Sequence, residues 1–249
     1  MDLQDKDLTL NHSMMNVIIT GASKGIGKAI AEAFAAEAAT IYICARNEAL
    51  LNETAVELRS KFPACTVHPK AVDLSDKNAA IDFGSWCLQS GVPDILVNNA
   101  GLFVSGSVYN EQDGDLEKMI TTNLYSAYHL TRKLLPAMME SNSAGRRHIF
   151  NICSIASLHA YPNGGAYSIS KYALMGFSKN LREELKPFGI KVTAVYPGAV
   201  MSDSWGDYDN SAGRIMEATD IAAMVLAASK LSPQAVVEDI VLRPLLGDL

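Results

Sequence analysis

Seven short runs of aliphatic and β-branched residues punctuate the chain: NVIIT (16–20), TIYIC (40–44), TVHPKAV (66–72), DILVNN (94–99), HIFNICS (148–154), IKVTAVY (190–196) and EDIVLR (238–243). Each has strand length, and most are apolar at successive positions, so both faces are buried. Between them, apolar residues recur at helical spacing, as at Ile26, Ile30 and Phe34 and again at Ala173, Phe177, Leu181 and Leu185. That period marks amphipathic helices. Buried strands joined by helices long enough for crossovers predict an α/β fold: a doubly wound, Rossmann-like sheet of about seven parallel strands with helices on both faces. No repeat interrupts the pattern, so residues 15–249 are expected to form one domain. Residues 1–14 are polar and expected to be flexible. Residues 202–217, SDSWGDYDNSAGRIME, combine turn formers with Trp205 and Tyr208 and predict a lid.

Composition narrows the function. At 249 residues and 49% hydrophobic, the chain has ample material for a core, which excludes disorder for most of it. Its 21 basic and 27 acidic residues give a net charge of −6 without a basic block, which argues against nucleic acid as a partner. Apolar stretches such as IAAMVLAA (221–228) fall short of the ~20 residues a membrane helix needs, and the start is too acidic for a secretory signal. No membrane association and a cytoplasmic location are therefore expected. Cys44, Cys65, Cys87 and Cys153 form no C-x-x-C pair and the five histidines no ligand spacing, so no metal is expected.

The turn after the first run, TGASKGIGKAI (20–30), carries glycines at 21, 25 and 27 and opens a helix. Backbone freedom and the positive end of the helix dipole suit a diphosphate. The spacing is G-x-x-x-G-x-G and lacks the glycine a P-loop would need at Ala22. The same letters contain GASKG, a G-x-S-x-G match that would make Ser23 a hydrolase nucleophile, but no strand precedes the first run to supply an oxyanion loop. In an open parallel sheet, this turn, the NNAG after the fourth run and Ser154 after the fifth would converge at the carboxyl ends of the strands. The second run ends in ICARNE, which offers Arg46 where an NAD-selective site would offer a carboxylate, and Lys24 lies in the glycine turn. Two cations directed at one phosphate point to NADP(H).

YSISK (167–171) places Tyr167 and Lys171 four apart, on one face of a helix. A lysine charge about 5 Å from the phenol, at an effective dielectric near 20, stabilises phenolate by roughly 3 kcal/mol. That is enough to bring the phenol from ~10 to about 8.

With TGASKGIG, NNAG, Ser154, YSISK and PGAV together, the chain resembles the short-chain dehydrogenase/reductase family over residues 15–249. Ser154 precedes Tyr167 by thirteen residues, as the family pattern requires. The resemblance implies that Tyr167 is the general acid/base, Lys171 its partner and a ribose ligand, Ser154 the residue orienting the carbonyl, and Asn123 the anchor of a proton-relay water. It further implies cofactor contacts from Gly21, Ser23, Lys24, Gly25, Ile26, Gly27 and Arg46, and from Asp73 and Leu74 beside the adenine. Asn98, Ala100 and Gly101 would act in the NNAG turn, with Pro197, Gly198, Val200 and Ser202 lining the nicotinamide. Departures from the pattern are Cys153 before Ser154, Ser202 in place of a common threonine, and no glycine after Asn123-Leu-Tyr. The ending VVEDIVLRPLLGDL resembles the sepiapterin-reductase-like and 3-oxoacyl-reductase-like branches. A homodimer or homotetramer is implied, and the expected substrate is a small-molecule carbonyl: a compact ketone, diketone or pterin-like compound, or a 3-oxoacyl group. Leu158, His159, Tyr161, Met201, Trp205, Tyr208 and Met216 are expected to wall its pocket. A nucleotide sensor on the same scaffold and the Ser23 hydrolase remain as alternatives, though the intact Ser-Tyr-Lys set argues against a sensor.

Overall fold

Alternation along the strands divides the core in two. The computed structural model describes residues 15–140, 147–201 and 208–247. Its strands are β1 (Asn16–Thr20), β2 (Thr40–Ala45), β3 (Thr66–Ala71), β4 (Ile95–Asn98), β5 (His148–Ile152), β6 (Lys191–Pro197) and β7 (Asp239–Leu242). They lie parallel in the order β3-β2-β1-β4-β5-β6-β7. Val17, Ile19, Ile41, Ile43, Ile95 and Val97 face one cluster, while Ile18, Tyr42, Cys44 and Leu96 face the other. Each cluster is closed by helices. On the first face lie α1 (Gly25–Ala35), α2 (Glu48–Lys61) and α7 (Ala218–Ser229), through residues such as Phe34, Leu58 and Val225. On the second lie α3 (Lys77–Leu88), α5 (Ser126–Glu140) and α6 (Gly165–Leu185), through Phe83, Leu134 and Leu181. A parallel sheet covered on both faces needs near-continuous apolar strands, which explains the runs.

β3 carries Pro69 and Lys70, residues out of place in a central strand, and it is an edge strand paired only with β2. Lys70 covers the Trp86 ring with its Nζ 5.0 Å from the centroid. The short helix α4 (Asp115–Ile120) runs into α5 through a π-helical turn at Thr121–Tyr125. Sequence periodicity did not reveal that turn. The buried stripe of α6 also differs from the apolar one expected: Ser170, Leu174 and Ser178 are buried beside Leu181 and Leu185. The serines fit there because their hydroxyls bond carbonyls of their own helix, Ser170 Oγ to Tyr167 O at 2.7 Å and Ser178 Oγ to Leu174 O at 2.8 Å. Residues 1–14 and 202–207 lie outside the described residues, and with them the expected leader, Ser202 and Trp205. Among the described residues, no helix is long and apolar enough to cross a membrane.

Candidate active site

Parallel strands bring their carboxyl ends to one edge, and a crevice of about 1670 Å³ opens there. Its floor at one end is the turn between β1 and α1. Gly21 and Gly25 have φ of +64° and +56°, conformations that side chains with a Cβ rarely adopt. A Cβ on Gly27 would fall on the Gly21 carbonyl and the Asn99 amide, so this glycine serves close packing and lies beneath the crevice. Ser23, Lys24 and Ile26 line it, with Lys24 exposed.

The turn is tied to NNAG. Asn99 Nδ2 donates to Thr20 O at 2.9 Å and Gly21 O at 3.0 Å, and Thr20 Oγ1 accepts from the backbone N–H groups of Asn99 and Ala100, each at 2.9 Å. Asn98, expected at the cofactor, is instead buried between the sheet and α5. Its Nδ2 donates to Thr131 Oγ1 at 3.0 Å and Asn151 Oδ1 at 2.8 Å, because alternation directs it away from the edge where Asn99 sits. Asn99 is thus a residue that sequence reasoning passed over; the doubled asparagine was the available signal. Ala100, Gly101, Leu74, Asp73, Arg46, Pro197, Gly198 and Val200 all line the crevice. Arg243 does so too, and its place at the carboxyl end of β7 could have identified it.

The turn fits a dinucleotide diphosphate. Lys24, at the N-cap of α1, makes no side-chain cap, whereas α2 and α3 are capped by Asn47 and Asp76. The first amides of α1 therefore remain available as donors beside the Cβ-free surface of Gly21. Arg46 is exposed after β2. Burial tends to raise the Asp73 carboxyl, but bonds from the Ser75 backbone and hydroxyl and the Arg46 charge bring it below its usual value.

At the other end stand Ser154, Tyr167 and Lys171, on the loop after β5 and the first two turns of α6. Ser154 caps the short 3₁₀ turn Ile155–Ser157, accepting from Ala156 N at 3.2 Å. Its hydroxyl proton is left to donate, and its influence on the nearby Tyr167 phenol favours phenolate. Phe103 meets the Tyr167 ring edge to face, with centroids 4.9 Å apart. Lys171 is 4% exposed and donates from Nζ to Ile152 O at 2.8 Å. Burial lowers it to about 8.

Tyr167 departs from the expected depression, since burial raises its phenol, with Ser154 acting the other way. Burial is the dominant cause: taking the phenol out of water disfavours phenolate more than its neighbours favour it. Cys153, pushed up to about 11 by burial, behaves as an inert thiol.

Asn123 lies in the π-helical turn, and its side chain is fully engaged. Oδ1 accepts from Leu102 N at 2.6 Å, while Nδ2 donates to Leu102 O at 2.9 Å and to Ser170 Oγ at 2.8 Å. The amide therefore clamps the loop after NNAG onto α6 and lies behind Lys171; a Cβ on Gly101 would meet Asn123 Oδ1 at 3.3 Å and Lys171 Nζ at 3.6 Å. Of the expected pocket wall, His159 and Tyr161 line the crevice, joined by Phe103 and Ile155. Leu158 and Met216 pack against core clusters instead. Met216 is held there by pairing of its backbone with Ala199 and Met201.

Comparison with known proteins agrees with this arrangement. Residues 15–212 match the family model for short chain dehydrogenases. A sepiapterin reductase of Chlorobaculum tepidum is 33% identical over 94% of this chain and 97% of its own length. Among solved structures, an alcohol dehydrogenase of Thermococcus sibiricus complexed with 5-hydroxy-NADP is 26% identical, with a TM-score of 0.87 over 95% of this chain and 99% of its own. L-sorbose reductase of Gluconobacter frateurii, complexed with NADPH and L-sorbose, is 27% identical, with a TM-score of 0.82 over 92% of this chain and 95% of its own. With the sheet order, the glycine turn and the Ser-Tyr-Lys cluster, these matches establish that the chain is an oxidoreductase of the short-chain dehydrogenase/reductase family.

Proposed function

We propose that the chain is an NADPH-dependent carbonyl reductase. The observation that carries this reading is the gathering of Ser154, Tyr167 and Lys171 in the same crevice as the glycine turn. Gly21, Ser23, Gly25 and Ile26 would hold the diphosphate, with Lys24 and Arg46 at the 2′-phosphate and Asp73 and Leu74 at the adenine. Pro197, Gly198 and Val200 would flank the nicotinamide, which supplies the hydride. NADP or NADPH occupies several similar structures, which supports this cofactor over NAD.

The residues then have distinct tasks. Tyr167, with its phenol raised by burial, is protonated at neutral pH and holds the proton that the developing alkoxide requires. Ser154 donates a second hydrogen bond to that oxygen, and two fixed donors stabilise the charge better than bulk water does. Lys171, largely protonated at pH 7, orients the base of the site through the Ile152 carbonyl and would reach the nicotinamide ribose. Asn123 positions the loop and α6 around it.

Phe103, Ile155, His159 and Tyr161 give a mixed aromatic and apolar wall, suited to a compact ketone, diketone or pterin-like carbonyl. Residues 15–249 are read as one domain and the cytoplasm as the location. Exposed Tyr125, Ile169 and Tyr172 support a homodimer or homotetramer. Family membership displaces the Ser23 hydrolase reading. The test is NADPH oxidation across ketones, sugars, diketones, pterins and 3-oxoacyl thioesters. Saturable turnover of one class is expected, and its absence from all of them, with NADPH bound, would favour a sensor.

A further inference from the structure

Helix α6 carries Tyr167 in its first turn, yet its own N-cap residue, Gly164, has no side chain to satisfy the exposed amides. The missing acceptor comes from a distant part of the chain. Glu111 Oε1 accepts from Ala166 N at 2.5 Å, the amide of the residue immediately before Tyr167. We propose that Glu111 is a positioning residue for the reductase reaction, holding the first turn of α6, and with it the Tyr167 hydroxyl, against the loop between β4 and α4; this rests on the function proposed above.

Three further observations show that the contact is built. Glu111 is fixed in a closed turn, with Glu111 N and Asn110 N donating to Ser107 O at 3.0 and 2.8 Å and Ser107 N donating to Asn110 Oδ1 at 3.0 Å. That turn is joined to the segment before α6, where Gly106 N donates to Asn163 O at 3.1 Å and Ser107 Oγ bonds Asn163 Oδ1 at 2.9 Å. Asn163 holds a φ of +61° to make the connection. Finally, a Cβ on Gly165 would fall on the Glu111 carboxylate, and a Cβ on Gly106 would come within 2.7 Å of Glu111 Cγ, so the glycines leave room for this side chain. Gly165, at the start of α6, thus accommodates a side chain whose partner amide, that of Ala166, lies fifty-five positions further along the chain.

A carboxylate at this end of a helix both satisfies an amide and opposes the dipole. Without it the first turn frays, and Tyr167 samples positions from which proton delivery is slower. Binding of the cofactor at the opposite end of the crevice does not use this contact.

The test uses the full chain, NADPH and whichever carbonyl the substrate panel identifies. In Glu111→Ala, amide exchange over residues 162–172 should accelerate about tenfold and kcat fall about tenfold, with the NADPH dissociation constant within about twofold of wild type. Glu111→Gln keeps the acceptor and should restore kcat to within about threefold. Gly165→Ala displaces the same carboxylate in a chain that retains it and should reproduce the Glu111→Ala result even if that variant does not fold. Unchanged exchange over 162–172 would overturn the assignment. So would joint loss of kcat and NADPH affinity without rescue by glutamine. Exchange requires no turnover, so an inert wild type would overturn the reductase reading while leaving the clamp to be decided separately.

Discussion

Replacing Lys171 by methionine should remove activity and yet stabilise the protein. Lys171 is 4% exposed, and burial holds it near 8 against an ordinary 10.5. At about 1.4 kcal/mol per pKa unit, that interval corresponds to about 3 kcal/mol of cost for keeping the ammonium charged in the folded state. Methionine has a similar length and no charge, so the cost disappears. Against this, the Ile152 carbonyl loses its donor, which costs about 1–2 kcal/mol. The net gain of about 1–2 kcal/mol should raise Tm by a few degrees in a domain of this size.

The pH dependence separates this cause from better packing. Between pH 8 and 10.5 the unfolded chain retains the Lys171 proton while the folded chain has released it, so wild-type stability gains from Lys171 as pH rises. The advantage of Lys171→Met should therefore be largest at pH 7 and shrink through that window. Thermal unfolding of both proteins from pH 6.5 to 10 measures it, and taking the difference cancels the tyrosines and cysteines common to both. A lower Tm for the variant at pH 7, or an advantage independent of pH, would refute the reasoning.

Other consequences can be checked directly. Replacing Arg46 by alanine should reduce the preference for NADPH over NADH by about tenfold, because a charge-assisted contact at an exposed rim contributes about 1–2 kcal/mol; paired kinetics with both cofactors test this. Gly27→Ala should cost about 1–3 kcal/mol in denaturant unfolding and weaken NADPH binding, since the new Cβ would displace the Gly21 carbonyl and Asn99. Asn98→Ala should cost about 1–3 kcal/mol by removing the donor to Asn151 Oδ1 and Thr131 Oγ1 while changing NADPH affinity little, which is measurable by fluorescence titration.

The central strands were legible because burial on both faces forces apolar residues at consecutive positions, and β1 to β7 follow the seven runs closely. Parallel topology then placed the glycine turn, NNAG and Ser154 at one edge, and the crevice unites them. What escaped notice depends on contacts between distant segments. The difference between Asn98 and Asn99 is a matter of which face each side chain takes at the end of β4, and the engagement of Asn123 follows from a π-helical turn that breaks the 3.6-residue period. The raised Tyr167 phenol was misjudged for a different reason. Spacing gives the distance between two groups on a helix but not the burial that raises the phenol and lowers the lysine. Glu111 had no local signal at all, because its partner amide lies fifty-five residues away.

Single-turnover NADPH oxidation by Tyr167→Phe, beside NADPH titration of the same variant, tests the proposed chemistry most directly. Loss of a preorganised donor costs about 3–4 kcal/mol of barrier, and loss of the proton source adds to it. The rate with an accepted carbonyl should fall at least about a hundredfold while NADPH binds as in wild type. A variant that oxidises NADPH at the wild-type rate would show that Tyr167 does not deliver the proton.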